Sequence, residues 1–517
     1  MKEEPPVYNL SKSKLQSFSQ CPKKLWLELY RSDLQETDEM AKLVFQRGTA
    51  FGAAVCKCFP GGIPFDKMLP VEALGQTSKW LHSFAAGNER VPMFEAAFVH
   101  NNVIIRADIL EPASDGKWTL IEVKSSVAKE GEDPRQEYIR DAAIQAYVLE
   151  HCDIQLATIE LGQPCRDFVL PANGDINGIL KRVNISAVAR AMTDEVETSI
   201  VEALNVVDRN SEPPRDIGAW CSKPHKCGFI NHCSGATLRP AEKILIPVWD
   251  LAGEPTSRVV SALMGAGHRD LADVPDEQIK KPMHKVMRAI ARGADPYIAP
   301  ALVAHLHKQP FPRYFLDYET NNAPLPLWYG TRPGERVEFQ FSLDKWTTED
   351  GPIVHVDFLG ETFDDPRPAL ARRLAEAMEE PGPVFAWNGN STEGPITEGL
   401  IRYCPEKRDI LKRVADSCKE NDPVKIFRET FYHPAMKGNW GLKSIVKAMF
   451  TVSPYSSLAI ANGVDAMREY ENFLKLPDGE ARDKLRQDLF EYCNTDTRVM
   501  IQIWRKLLNQ IDLKLSV

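Results

Sequence analysis

Two apolar, strand-like segments far apart in the chain carry carboxylates where core side chains belong. In Val103-Ile-Ile-Arg-Ala-Asp-Ile-Leu110 the interruption is Asp108, and in Arg313-Tyr-Phe-Leu-Asp-Tyr-Glu-Thr320 it is Asp317 with Glu319. A carboxylate on a buried strand is costly unless a countercharge or a metal offsets it. Each segment therefore calls for a polar site that the surrounding fold completes. At 517 residues the chain exceeds the ~250–300 residues that one core sustains, so two or three domains are expected.

Around Asp108, Met93 to His100, Val103 to Leu110 and Trp118 to Val123 read as strands, with Asn101-Asn102 as a hairpin turn. Ahead of them, 11 to 30 reads as one amphipathic helix capped by Ser11 or Ser13, with Leu15, Phe18, Leu25, Trp26 and Leu29 on one side. A second helix covers about 37 to 58 and stops at Pro60-Gly61-Gly62. A helix from Pro134 to Glu150 and a strand from Ile154 to Leu161 follow. In Thr119-Leu-Ile-Glu-Val-Lys-Ser-Ser126, Glu122 and Lys124 are two apart and share a strand face. If the strands are neighbours, Asp108 and Glu122 hold one divalent ion and Lys124 points at the same place. Such a set suits phosphodiester hydrolysis, in which the metal activates water and a cation stabilises developing charge. Hard oxygen donors suit Mg²⁺ or Mn²⁺. On spacing alone, an exposed strand end with a surface ion pair is an equal reading. Glu95 is either a further ligand or an ordinary strand-edge carboxylate.

This order of elements resembles the RecB-like branch of the PD-(D/E)XK nucleases over roughly 1 to 235. The resemblance implies metal binding by Asp108 and Glu122 and a catalytic role for Lys124. Gln145, in Gln145-Ala-Tyr147, corresponds to the family's glutamine, although the family spacing is Gln-x-x-x-Tyr. In Gly48-Thr-Ala-Phe-Gly52, Gly52 stands where many members carry a metal-binding histidine, which leaves Glu95 to supply that ligand.

Eleven cysteines in a chain expected to be cytoplasmic read as buried thiols or metal ligands, not as disulfides. Cys221, Cys227 and Cys233 fall within thirteen residues rich in Pro and Gly. With a fourth thiol they complete a zinc site or a [4Fe–4S] cluster, and His225 and His232 leave a mixed zinc site open. A subset of RecB-like nucleases, including the CRISPR-associated adaptation nuclease, is similar: one cysteine lies on an N-terminal helix and three follow the core. The resemblance implies a [4Fe–4S] cluster on Cys21, Cys221, Cys227 and Cys233 that staples the two ends, with Zn²⁺ as the alternative. Cys56, Cys58, Cys152, Cys165, Cys404, Cys418 and Cys493 lack such grouping and are expected to be buried thiols.

From Arg313 a new run of strands begins: Tyr314 to Glu319, Val337 to Trp346, Ile353 to Leu359 and Val384 to Trp387. Helical stretches near 366 to 379, 393 to 403, 441 to 449 and 480 to 508 interleave, giving a separate α/β domain. In Leu489-Phe-Glu-Tyr-Cys-Asn-Thr-Asp-Thr-Arg498, Tyr492 and Asp496 are four apart on one helical face. Acids at both ends of a domain converge only through its fold, as a two-metal site requires. The pattern resembles the DEDD exonucleases of the RNase H-like superfold, in the branch with Tyr-x-x-x-Asp, over about 311 to 510. The resemblance implies metal binding by Asp317, Glu319 and Asp496, with Tyr492 orienting the attacking water. Glu393, after Val384-Phe-Ala-Trp-Asn-Gly-Asn-Ser-Thr, stands where the family has its fourth acid, usually Asp. Asn388 is expected to position substrate, and Asp422 is the alternative acid. The segment from His433 to Lys443 mixes basic and aromatic residues, which suits either stacking on single strands or a loop with a packed Trp440.

Residues 212 to 240 read as irregular, and 241 to 310 as a helical connector. The expected class is α/β: a restriction-endonuclease-like core over 1–240, the connector over 241–310 and an RNase H-like domain over 311–517. That arrangement resembles a bacterial family catalogued as a domain of unknown function. Net charge of −9 argues against coating nucleic acid by bulk electrostatics, while a local basic groove remains compatible with it. No apolar run approaches the ~20 residues that span a bilayer, and the start lacks a signal-like segment, so no membrane partner is expected. The expected function is a metal-dependent DNA nuclease, exonucleolytic on single strands or ends, in repair, mobile-element or defence processes. RNA as substrate is one alternative, and a nucleic-acid-binding scaffold with silent sites is another.

Overall fold

In the computed structural model, which describes residues 8–36, 38–128, 131–233, 246–252 and 258–509, the chain divides into two mixed α/β units. The first comprises Met1–Leu238 with Ala323–Glu335, the second Arg239–Asn322 with Arg336–Val517. The segment expected as a separate connector thus groups with the second unit.

The first unit runs β1 (Leu10–Ser11), α1 (Lys12–Gln20), α2 (Pro22–Tyr30), α3 (Glu39–Cys56), β2 (Ile63–Pro64) and α4 (Pro70–Ala85). It continues with β3 (Met93–His100), β4 (Val103–Pro112), β5 (Trp118–Val123), α5 (Gln136–Glu150), β6 (Leu156–Pro164), β7 (Leu180–Asn184), α6 (Ser186–Arg190), α7 (Thr193–Val207) and α8 (Ile230–Cys233). The expected single helix over 11–30 is two helices. Pro22 opens α2 and disfavours helical backbone at the residue before it, so Cys21 is extended (φ −164, ψ 119) and the chain turns there.

The sheet order is β2-β3-β4-β5-β6-β7, with β1 parallel to the start of β4. Strands β3, β4 and β5 are antiparallel neighbours, and β5 is parallel to β6. Alternation sorts the side chains onto two faces. Leu110 and Leu120 join α1, α5 and α7 residues such as Leu15, Phe18, Val148 and Ile200 in the main core. Ile109 and Ile121 face Phe51 and Val55 of α3 in a second core. Each such fully buried side chain contributes roughly 1.5–3 kcal/mol. Asp108 and Glu122 lie within reach of Lys12 at the start of α1, and Glu122 also meets Gln145 of α5.

In the second unit, α9 (Arg258–Gly265), α10 (Pro282–Ala291), β8 (Tyr297–Ile298) and α11 (Pro300–Lys308) precede β9 (Arg313–Asn321). Then come β10 (Val337–Trp346), β11 (Ile353–Leu359), α12 (Arg367–Ala377), β12 (Val384–Phe385), α13 (Glu393–Leu400), α14 (Arg408–Glu420) and α15 (Pro423–Thr430). The chain closes with β13 (Phe431–Tyr432), α16 (Leu442–Met449), α17 (Gly463–Phe473) and α18 (Glu480–Leu508). β8 pairs with β13, and α11 packs on α15 and α18, which ties the supposed connector into this unit.

Its main sheet is ordered β11-β10-β9-β12, with β12 parallel to β9 and the rest antiparallel. Tyr314, Leu316 and Tyr318 point into a core with Leu370, Ile396 and Val414 of α12, α13 and α14. The opposite face of β9 carries Phe315, Asp317 and Glu319 and receives α18. Trp504 of α18 packs edge-on to Phe315 at 5.6 Å. This apolar contact fixes the helix so that its preceding turns, with Tyr492 and Asp496, lie over the two acids. Among the described residues, no helix is long and apolar enough to cross a membrane.

Candidate functional site

Strand register assembles the first cluster. β4 and β5 pair as Ile109↔Ile121 and Leu110↔Leu120, and the same register carried one step on sets Asp108 opposite Glu122. There the Asp108 carboxylate accepts the Val123 backbone N–H at 2.7 Å. Lys124 Nζ lies 2.7 Å from Glu122 Oε1 and also binds Asp141. Gln145, one turn beyond Asp141 on α5, donates to Glu122, and Gln16 of α1 donates to Asp141. Lys12, the first residue of α1, stands where β1 ends beside β4. Its Nζ is 3.1 and 3.2 Å from the two Glu122 oxygens and 3.6 Å from Asp108 Oδ1.

Burial disfavours the charge on Glu122, but the ammoniums of Lys12 and Lys124 outweigh it and hold the carboxyl down to about 2. Asp108 is pushed up to about 7, by burial first and then by the Glu122 charge. Burial also raises Glu95, against the pull of Lys12 and Arg106. Glu95 holds a left-handed φ of 57°, uncommon for a non-glycine, between the paired residues Phe94 and Ala96. Its charge acts on Asp108, so it borders the cluster. Gly52 has nothing within 4 Å of where a Cβ would stand. Tyr147 is buried in the main core against the rings of His100 and His151 and lies outside the cluster.

Cys21, Cys221, Cys227 and Cys233 line one small cavity together with Lys23, Lys24 and Arg215. The break at Cys21 turns its thiol toward the later segment, and Gln20 clamps that segment by donating to the carbonyls of Trp220 (2.7 Å) and His225 (2.6 Å). Burial raises the thiols of Cys221 and Cys227 and pushes Cys233 up to about 11. Neither His225 nor His232 is part of the lining, and His232 is engaged with Glu212 at 2.9 Å. Four thiols with three cations around them fit an anionic thiolate–metal group.

In the second unit the acids of β9 meet α18. Asp317 is partly exposed, while Glu319 and Asp496 are buried. Lys443 of α16 donates to the Tyr492 hydroxyl at 3.1 Å, and Tyr455 donates to Asp496. Burial, reinforced by the Asp496 charge, holds Asp317 and Glu319 well above the carboxylate range. Burial also lifts Asp496 to about 6, against the hydrogen bond from Tyr455 and the charge of Lys443. Burial lowers Lys443 despite the three acids near it. One ammonium faces three carboxyls, too little positive charge to keep them all ionised, and a divalent cation would supply what is lacking.

Glu393 opens α13 with its side chain buried and its Oε2 without a hydrogen-bond partner. Burial pushes it up to about 8, and its charge reaches both Asp317 and Glu319. Asp422 instead caps α15, accepting from Val424 N at 3.0 Å and Asn390 N at 3.2 Å. Asn388 sits in the turn after β12 at φ 66°. Trp440 is half-buried, with its indole N–H donated to the Phe431 carbonyl at 2.9 Å.

Among the described residues, Asp317, Glu319 and Cys493 present three ligand atoms within 4.8 Å of one another. Cys493 is buried, as expected of an ungrouped thiol, but it lies beside two acids, and its position next to Tyr492 in the sequence is the signal for that. Lys12, Asp141, Lys443 and Tyr455 were also not foreseen. A lysine in the first turn of a helix opposes the macrodipole, which marks Lys12 as placed for something else. Asp141 and Gln145 are a polar i,i+4 pair on a helix whose neighbouring residues are almost all buried.

Residues 314–441 are similar to the family described as Domain of unknown function (DUF2779), a stretch holding Asp317, Glu319 and Glu393 but ending before Tyr492 and Asp496. No curated protein and no solved structure matches the chain.

Proposed function

We propose that this chain is a metal-dependent nuclease with two hydrolytic centres, the first in a PD-(D/E)XK-type unit and the second in an RNase H-like unit. The observation that carries the reading is the meeting of Asp108, Glu122, Lys124 and Gln145, from three separate elements, around one carboxylate (Lys124 to Glu122, 2.7 Å). A catalytic lysine within reach of two acids on adjacent strands is an arrangement that phosphodiester hydrolysis uses and that packing alone does not require.

Asp108 and Glu122, with Glu95 at the border, would hold Mg²⁺ or Mn²⁺. The bound ion would lower the pKa of a water and polarise the phosphoryl oxygen. Gln145 fixes the Glu122 carboxylate and Asp141 fixes Lys124, so the lysine ammonium is held where a pentavalent phosphate would develop charge. In the second unit Asp317, Glu319, Glu393 and Asp496 would hold two ions, and the Tyr492 hydroxyl, which accepts from Lys443, would orient the attacking water. The four thiols would hold a [4Fe–4S] cluster, with zinc as the alternative, joining α1–α2 to the segment after the core. DNA is the proposed substrate, acted on at single strands or ends.

Labelled single- and double-stranded DNA and RNA incubated with Mg²⁺ or Mn²⁺ test this directly. Lys124→Ala and Asp496→Asn, singly and together, assign the activity to a unit, and the double variant should be inert. Binding without cleavage of any substrate under either metal would overturn the reading in favour of a scaffold. Brown protein absorbing near ~400 nm identifies the cluster, and colourless protein with stoichiometric zinc rejects it.

A further inference from the structure

The second centre contains a thiol that a pure oxygen site does not need. Cys493 is fully buried, and its Sγ–H points at Asp317 Oδ2 across 3.9 Å. A core cysteine of the inert kind packs among apolar side chains, whereas this one sits beside Asp317 and Glu319 in a single 4.8 Å cluster. A tetrahedral ion with bonds of about 2.3 Å to sulfur and about 2.1 Å to oxygen sets its donors ~3.6 Å apart, close to the observed Sγ–Oδ2 spacing. Independently, the buried Glu393 Oε2 has no partner while its charge reaches Asp317 and Glu319. A polar atom left without a partner there points to a missing ligand.

We propose that Cys493 is itself a ligand, so that Asp317, Glu319 and Cys493 form a mixed oxygen–sulfur centre selecting a Zn²⁺-class divalent ion over Mg²⁺. The inference rests on the reading of this unit as a metal centre and names the ion that it takes. Thiolate donors favour borderline ions, while Mg²⁺ demands oxygen in octahedral array. Binding replaces the Cys493 proton, which leaves as H⁺ as the metal–sulfur bond forms, with no change of oxidation state.

The test is a Co²⁺ titration of the full-length protein as purified, after dialysis against a chelator mild enough to leave the four-thiol cavity loaded. Wild type should gain a sulfur-to-cobalt charge-transfer band near ~340 nm, and Zn²⁺ should abolish it while a thousandfold excess of Mg²⁺ does not. Cys493→Ser should bind the same ion at least tenfold more weakly and without the band; the cavity thiols cancel in the difference spectrum. Asp317→Asn should lose both binding and band. Co²⁺ bound to wild type at this centre without the band, and equally by Cys493→Ser, overturns the thiol ligand and leaves the metal centre standing. If wild type binds no more Co²⁺ than Asp317→Asn, the metal centre itself fails and the proposal with it. The wild-type band needs no variant to fold, and Cys493→Ala with circular dichroism checks the serine protein.

Discussion

Replacing Lys12 by methionine keeps the aliphatic stem and removes only the charge that lies between Asp108 and Glu122. Its Nζ stands 3.1 Å from Glu122 Oε1, where unit charges attract by about 5 kcal/mol at an effective dielectric of ~20 and about 1 kcal/mol in water. The Lys12 side chain is 20% exposed, so an intermediate value of about 2 kcal/mol applies, or roughly thirtyfold in an equilibrium constant. A divalent ion entering between the two acids must displace that ammonium. Lys12→Met should therefore bind Mn²⁺ at the first centre 10–100-fold more tightly by calorimetry. The metal-free protein should move the other way. Glu122 is held at about 2 against an ordinary value of 4.5, and a depressed carboxylate stabilises the fold above its unfolded pKa and loses that as pH falls from 4.5 toward 2. Without Lys12 the depression shrinks, so Lys12→Met should melt lower in chelator at pH 7 and recover when Mn²⁺ is added. Unchanged or weaker Mn²⁺ binding, or an unaltered melt in chelator, would refute the displacement argument.

Because Asp108 is pushed up to about 7, Mn²⁺ must expel its proton below that pH. Affinity in an Asp496→Asn background should fall about tenfold per pH unit below ~7 and level off above; a flat profile from pH 5.5 to 8 would contradict it. The same raised carboxyl works against the metal-free fold once ionised, so stability in chelator should rise as pH drops from 7 toward 4, the reverse of the Glu122 contribution. Cys21→Ser should lose the ~400 nm absorbance and lower the melting temperature, and an unchanged spectrum would exclude Cys21 as a ligand. A Cβ on Gly389, in the turn before α13, would stand 2.2 Å from the Cys418 carbonyl oxygen. Gly389→Ala should cost about 2 kcal/mol or more in denaturant titrations, and a loss under about 0.5 kcal/mol would show that the turn yields.

Much of this was legible because short-range patterns wrote it. The strands around Asp108 and Asp317 matched their periodicity, and the pairing of Glu122 with Lys124 needed only the two-residue repeat. The long helix ending the second unit was visible in the four-residue spacing of Tyr492 and Asp496. What stayed hidden depended on distance in sequence. Lys12 reaches Glu122 only because a two-residue strand docks beside β4, too brief a pairing for periodicity to reveal. Cys493 looked inert because a thiol is apolar until its neighbours are known. The break at Cys21 was readable from Pro22 alone and was overridden by the apolar residues on either side of it. β7 escaped as a short edge strand beside β6, whereas α4, α7, α14, α15 and α17 went unread although their apolar residues share one face, as Leu411, Val414, Ala415 and Cys418 do on α14.

The clamp between Gln20 and the carbonyls of Trp220 and His225 also has a consequence in time. Gln20 leaves the ribosome some two hundred residues ahead of the carbonyls it clamps, roughly 10–40 s at ordinary elongation rates. Lys12 finds its place earlier, once β4 and β5 follow and β1 docks beside β4, whereas the Gln20 end of α1 waits for the later segment. The two ends of α1 are thus secured at different times, its first residue by strands about a hundred residues downstream and its last by a segment some two hundred residues downstream.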